Sequence, residues 1–211
     1  MCSSDLAASL NHPHIVQAYA VGKYEDIYYF GMEYVEGQTV QELMVKEPVL
    51  DEDSVLAIGL NIAEALREAW DRKKMIHRDI KPDNIMLGQN NQAVLIDFGL
   101  ARPLQINGKK TTISRAGSPS YQVPLKWKPQ NYKASDMWSF GILMFEFITG
   151  KRPIQEIDFS GDMILSENWQ APLALIPRQI KNSILGCLRG NEDFRLTANN
   201  VLKMLNDLPH Q

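Results

Sequence analysis

Residues 77–99 read His77-Arg78-Asp79-Ile80-Lys81-Pro82-Asp83-Asn84-Ile85-Met86-Leu87, then Gly88-Gln89-Asn90-Asn91-Gln92-Ala93-Val94-Leu95-Ile96, then Asp97-Phe98-Gly99. The short apolar runs Ile85–Leu87 and Ala93–Ile96 flank the turn-like Gly88-Gln89-Asn90-Asn91, which predicts a β-hairpin with a longer loop. Its base carries two acids and an amide, Asp79, Asp97 and Asn84. Such a set offers oxygen ligands to a divalent cation. Lys81, two positions after Asp79, adds an ammonium suited to neutralising a phosphate.

Outward from this hairpin, the apolar stripe Val55, Ile58, Ile62, Leu66 and Ala69 predicts a long amphipathic helix capped by Asp51 or Asp53. A shorter helix is expected over Thr39–Lys46, and strands over Ile15–Val21 and Ile27–Tyr34 with a turn at 22–26. The most hydrophobic helix runs Ser135–Thr149 and is stopped by Gly150, with Pro153 just beyond. Pro177–Leu188 and Thr197–Leu208 read as two closing amphipathic helices, the second capped by Thr197. Residues 155–175 carry no usable pattern. Leu6 and Leu10 suggest a helix end over 5–10.

With 211 residues, 45% hydrophobic and 22% charged, the chain has the composition of a soluble globular domain with a full core. The net charge of −3 gives no reason to expect nucleic acid or an anionic membrane as partner. Cys2 and Cys187 form no framework and no C-x-x-C, so a reducing compartment and a cytoplasmic location are expected. No signal peptide is visible at Met1–Asp5. The apolar run Phe140–Ile148 is interrupted by Glu146 and far short of a membrane span. His12 and His14 form an H-x-H without further nearby ligands, a poor zinc signature.

Three signals in order, H-R-D-x-K-P-x-x-N at 77–84, D-F-G at 97–99 and Ser135-Asp136-Met137-Trp138-Ser139-Phe140-Gly141, resemble the eukaryotic-type serine/threonine protein kinases. Lys81 is the residue that the serine/threonine members carry there. The resemblance implies an α+β, protein-kinase-like fold: a mainly helical C-lobe over 37–211 and a remnant of the N-lobe β-sheet over 1–36. It implies ATP and Mg²⁺ as cofactors, and a nucleotide and a protein substrate as partners. In these terms Asp79 orients the attacking hydroxyl and accepts its proton, Lys81 neutralises the γ-phosphate, and Asn84 and Asp97 hold the metal. Glu33 (C=O) and Val35 (N–H) resemble the hinge that binds adenine, with Met32 guarding the back of the pocket and Met86 as its floor. Phe98 and His77 are expected in the hydrophobic spine, and Asp136 is expected to hold the catalytic-loop backbone. Ser118 is expected to hydrogen-bond to Asp79 and Lys81 in the segment that receives the substrate peptide. The segment Pro103 to Ser114, with Thr111 and Thr112, lies where the family has its activation segment, and Ser114, three residues before Gly117, is where members commonly carry a phosphate, with Arg78 as its expected partner.

Two departures stand out. The glycine loop over the phosphates and the strand-three lysine have no counterpart, and the glutamate that pairs with that lysine aligns at Ser3. The expected reading is an incomplete gene product or fragment that binds ATP weakly, with an exposed edge on the strand Ile27–Met32. A non-catalytic, pseudokinase-like scaffold is the alternative, and a small-molecule phosphotransferase of related fold is a third. The usual A-P-E appears as Val123-Pro124-Leu125, so the acid that pairs with a buried arginine, here Arg195, is missing. Either Arg195 has another acceptor or its pocket is wetter.

Overall fold

The computed structural model describes residues 11–25, 27–88, 91–97, 102–103, 118–124, 132–157, 163–165 and 167–207. The expectations for residues 5–10, Cys2, Ser3, Phe98, Gly99, Thr111, Thr112, Ser114 and Leu125 fall outside these. Strands β1 (Ala18–Tyr24) and β2 (Ile27–Met32) form an antiparallel ribbon, so the turn between them is tighter than the sequence suggests. Glu25 makes that turn in the left-handed region, at φ 52°. The short strand β3 (Gln38–Thr39) leads into helix α1 (Val40–Lys46), where Thr39 and Glu42 form a reciprocal capping box.

Helix α2 (Glu52–Lys73) is capped by Asp51, whose carboxylate accepts from the Ser54 N–H. All five residues of its predicted stripe are buried. After β4 (Met75–Ile76) comes the hairpin of β5 (Ile85–Leu87) and β6 (Ala93–Leu95), in the register Ile85 to Leu95 and Leu87 to Ala93. Alternation puts those four side chains against the core and leaves Met86 and Val94 half-buried on the other face. β3 adds to this hairpin on the β5 side. Beyond β6, Ile15 bridges to Leu95, and Val16 N–H donates to the Leu95 carbonyl at 3.0 Å. β7 (Arg102–Pro103) pairs with β4.

Helix α3 (Tyr132–Thr149) is the pillar of the molecule. Met137, Trp138, Phe140, Ile142, Leu143, Met144, Phe145 and Phe147 are all at most 1% exposed, so it is enclosed on nearly every side. Each large apolar side chain fully buried this way contributes about 1.5–3 kcal/mol. Gly150, at φ 71°, ends the helix in the left-handed conformation that favours glycine. The unpatterned stretch 155–175 contributes a small hairpin, β8 (Ile154–Ile157) with β9 (Met163–Leu165), and a 3-10 turn at Ala171–Leu175. Helices α4 (Arg178–Cys187) and α5 (Ala198–Asn206) close the structure, α4 against α3 and α5 against α2. Thr197 caps α5 as expected.

Candidate active site

The segment 77–84 is held from below. Asp136, buried near the start of α3, accepts the backbone N–H of His77 and of Arg78, both at 2.9 Å, and the Trp70 indole N–H at 3.2 Å. These bonds offset the cost of Arg78 sitting at φ 74°, a conformation unfavourable to a residue with a Cβ. His77 is fully buried. Its Nδ1 accepts the Asp79 N–H at 3.3 Å, so Nε2 carries the proton and donates to the Ile96 carbonyl at 3.0 Å. Burial lowers the His77 pKa against the pull of Asp136, which keeps the ring neutral.

This strut fixes Asp79, which is 8% exposed. One carboxylate oxygen accepts the Ser118 backbone N–H at 2.9 Å, and the other accepts the Asn84 amide at 3.0 Å and lies 3.2 Å from Lys81 Nζ. Burial raises the Asp79 pKa, but the Ser118 N–H, Lys81 and Asn84 outweigh it, and the carboxyl is held below its ordinary value. Lys81 Nζ also donates to Ser118 Oγ at 3.1 Å. Ser118 therefore meets both partners expected of it, Lys81 through its hydroxyl and Asp79 through its main chain.

Asn84 ends a 3-10 turn, Pro82–Asn84, and its amide nitrogen donates both to the Asp79 side chain and to the Asp79 carbonyl, the latter at 2.8 Å. That commits the nitrogen and leaves Oδ1 as an available oxygen donor. The Ile96 N–H donates to the Asn84 carbonyl at 2.9 Å, and the exposed Asp97, at φ 60°, follows Ile96 directly in the chain. An amide oxygen and a carboxylate suit a hard cation such as Mg²⁺, so these residues fit the expected metal.

At the sheet side, the Glu33 N–H donates to the Gln17 carbonyl at 2.8 Å. The Glu33 carbonyl and Val35 N–H make no hydrogen bond among the described residues. Met32 is 43% exposed, so it is not part of the core. Met86 is half-buried, opposite Val94 on the face of the hairpin away from Ile85 and Leu87. His14 is occupied otherwise than by metal, with Nδ1 on the Ala93 carbonyl at 3.0 Å and Nε2 3.6 Å from Glu64.

Other supports carried no sequence signal strong enough to single them out. Asn61 Oδ1 accepts the Ala93 N–H at 3.0 Å and braces the hairpin from α2. The Tyr121 hydroxyl donates to Glu146, which lies 3.5 Å from Arg152, and the Arg152 guanidinium sits 5.7 Å over the Tyr121 ring. Burial raises the Glu146 pKa, and burial with Glu146 raises that of Tyr121. Arg195, 5% exposed, has indeed found other acceptors. It donates to the carbonyls of Ala134 (2.7 Å), Arg189 (2.8 and 3.0 Å) and Gly190 (3.2 Å), and lies 5.3 Å over the Trp138 ring.

A helical body on a central apolar helix, with an aspartate, lysine and asparagine converging on one loop, is the arrangement of a phosphotransferase lobe. The protein kinase domain family matches residues 4–205, and the chain belongs to that family. It is 37% identical over 161 residues to the serine/threonine-protein kinase PrkC of Bacillus subtilis, covering 76% of this chain and 24% of that protein. A probable serine/threonine-protein kinase of Streptomyces coelicolor is 34% identical over 215 residues, covering 94% of this chain and 31% of its own length. The serine/threonine-protein kinase PknB of Mycobacterium tuberculosis is 33% identical over 171 residues, covering 78% and 26%. The chain thus spans 24% to 31% of the length of these relatives. Among the described residues no helix is long and apolar enough to cross a membrane.

Proposed function

We propose that this chain is the catalytic part of an ATP- and Mg²⁺-dependent serine/threonine protein kinase, acting in the cytoplasm on protein hydroxyls. Residues 1–36 belong to the nucleotide-side lobe and 37–211 to the lobe that holds the acceptor. The observation that carries the reading is the closed set of contacts among Asp79, Lys81 and Ser118: the Lys81 ammonium lies 3.2 Å from the Asp79 carboxylate and 3.1 Å from the Ser118 hydroxyl, and the Ser118 N–H lies 2.9 Å from Asp79.

Asp79, kept ionised by its three partners, orients the acceptor O–H and takes its proton as oxygen attacks the γ-phosphorus. The bond from that phosphorus to the bridging oxygen breaks, and ADP leaves. Lys81 neutralises charge on the transferring group as a mobile point charge. Asn84 and Asp97 would hold the metal ion, and the backbone of Glu33 and Val35, with Met86, would receive the adenine. Bound magnesium supplies positive charge to the phosphate oxygens. Positioning and electrostatics carry the reaction, since phosphoryl transfer asks little covalent chemistry of the protein.

The test is transfer of labelled γ-phosphate from Mg·ATP to a generic protein acceptor, followed by phosphoamino-acid analysis. Label on serine or threonine with wild type, and none with Asp79→Asn, is expected. Undetectable transfer by wild type at saturating Mg·ATP sinks the reading and favours the scaffold.

A further inference from the structure

Helix α3 is the most apolar element of the fold, yet two polar side chains lie buried in it within one turn, Asp136 and Ser139. Three residues apart, they share a helix face. Asp136 grips the backbone of His77 and Arg78. Ser139 does something different. Its hydroxyl donates to the carbonyl of Tyr121 at 2.8 Å, with the Ser135 carbonyl a longer alternative at 3.3 Å. Serine in a helix interior ordinarily bonds its own preceding turn; here the shorter bond leaves the helix.

Tyr121 is the last residue of a 3-10 turn, Pro119–Tyr121, entered from Ser118. That turn is stiff. Pro119 fixes its own φ, the Tyr121 N–H donates to the Ser118 carbonyl at 3.0 Å, and the Gln122 N–H donates to the Pro119 carbonyl at 3.2 Å. A pull on the Tyr121 carbonyl is therefore felt at Ser118, whose N–H and hydroxyl meet Asp79 and Lys81. One turn of α3 thus holds both sides of the site, Asp136 the loop that bears Asp79 and Ser139 the segment facing it.

We infer that Ser139 is a positioning residue for the acceptor: its hydroxyl sets the placement of the 118–121 turn relative to Asp79. This rests on the reading of that segment as the one that receives the acceptor peptide. Ser139 touches no reactant itself. Loss of its hydroxyl leaves the buried Tyr121 carbonyl without its closest donor and lets the turn drift, while the Asp136 strut keeps Asp79 in place.

The experiment compares wild type, Ser139→Ala and Ser139→Thr, the last retaining a hydroxyl at the same carbon. In peptide phosphorylation, Ser139→Ala is expected to lower kcat/KM for the acceptor about tenfold, the worth of one lost buried hydrogen bond, with the KM for Mg·ATP unchanged and Ser139→Thr recovering most of the loss. Backbone hydrogen exchange, which needs no turnover, supplies the second readout. Ser139→Ala is expected to speed exchange at the Ser118 and Tyr121 amides at least tenfold, and to leave the His77 and Arg78 amides on Asp136 unchanged. Equal exchange at Ser118 and Tyr121 in wild type and Ser139→Ala overturns the inference, whether or not the protein turns over. A drop in acceptor and nucleotide parameters together, with faster exchange throughout 77–84, also overturns it and marks Ser139 as merely structural. Wild-type inactivity defeats the proposed function alone, since the exchange arm still decides the role of Ser139.

Discussion

Replacing Asp136 by alanine removes the acceptor of three buried donors at once: the N–H groups of His77 and Arg78 at 2.9 Å and the Trp70 indole at 3.2 Å. Each buried donor left without a partner costs about 1–3 kcal/mol. Against that, the variant is relieved of burying a carboxylate, whose pKa burial raises despite the pull of His77 and the donated N–H groups. A net loss of about 3–5 kcal/mol is expected, a large fraction of the roughly 5–15 kcal/mol available to a domain. Asp136→Asn keeps the shape but turns an N–H₂ toward at least one of the same donors, and should lose about 2–3 kcal/mol. Urea unfolding followed by circular dichroism measures both. The pH dependence gives an independent check. A carboxyl whose folded pKa lies above its unfolded value of 3.8 makes stability fall as pH rises from there to the folded value, a slope that Asp136→Asn must lack. If Asp136→Ala unfolds within about 1 kcal/mol of wild type, the strut beneath the site does not bear the strain at Arg78 assigned to it.

Asp79→Asn should lower phosphate transfer by about 10²- to 10⁴-fold in single-turnover assays while leaving unfolding cooperative, because it removes the proton acceptor and little of the packing. The Asp79 carboxyl, held below 3.8 by Ser118, Lys81 and Asn84 in spite of burial, contributes stability that is fully present above pH 3.8 and lost as pH falls through the lower folded value. A ¹³C carboxyl titration with a midpoint at or above 3.8 would contradict that. Gly37→Ala would put a Cβ 1.9 Å from the Leu87 carbonyl oxygen, at a φ of 157° that side chains rarely adopt. It should open the β3–β5 pairing and cost more than about 2 kcal/mol by thermal or urea unfolding. Arg195→Lys keeps the charge but not the planar fork reaching three carbonyls, and a loss of about 2–4 kcal/mol in urea is expected.

The elements that repeat a period were legible. Helix α2 announced itself by a stripe and a capping aspartate, and α3 by its hydrophobicity and the glycine that stops it. The mutual contacts of Asp79, Lys81 and Asn84, the group proposed as catalytic, were legible too, because the three sit within six residues and a local 3-10 turn brings them together. What escaped depends on pairings between distant residues. The strands of the β8–β9 hairpin are too short to show a period, and it is the pairing of β1 with β2 that carries β1 on to Tyr24, opposite Ile27. Ser139 and Tyr121, or Glu146 and Arg152, are unremarkable alone and acquire a role only once α3 is laid under the 118–124 segment. The acceptors of Arg195 are main-chain carbonyls, which every sequence supplies everywhere and no motif can advertise.

That last feature bears on how the domain tolerates change. A guanidinium anchored by a carboxylate can be released from either end, by mutation of the acid or by its protonation. Here nothing on the receiving side titrates, and substituting Ala134, Arg189 or Gly190 replaces a side chain but not the oxygen that accepts. The junction between the pillar and the closing helices thus keeps its hydrogen-bond acceptors through acid and through drift at three of its four hydrogen-bonding positions, and loses those bonds when Arg195 itself changes.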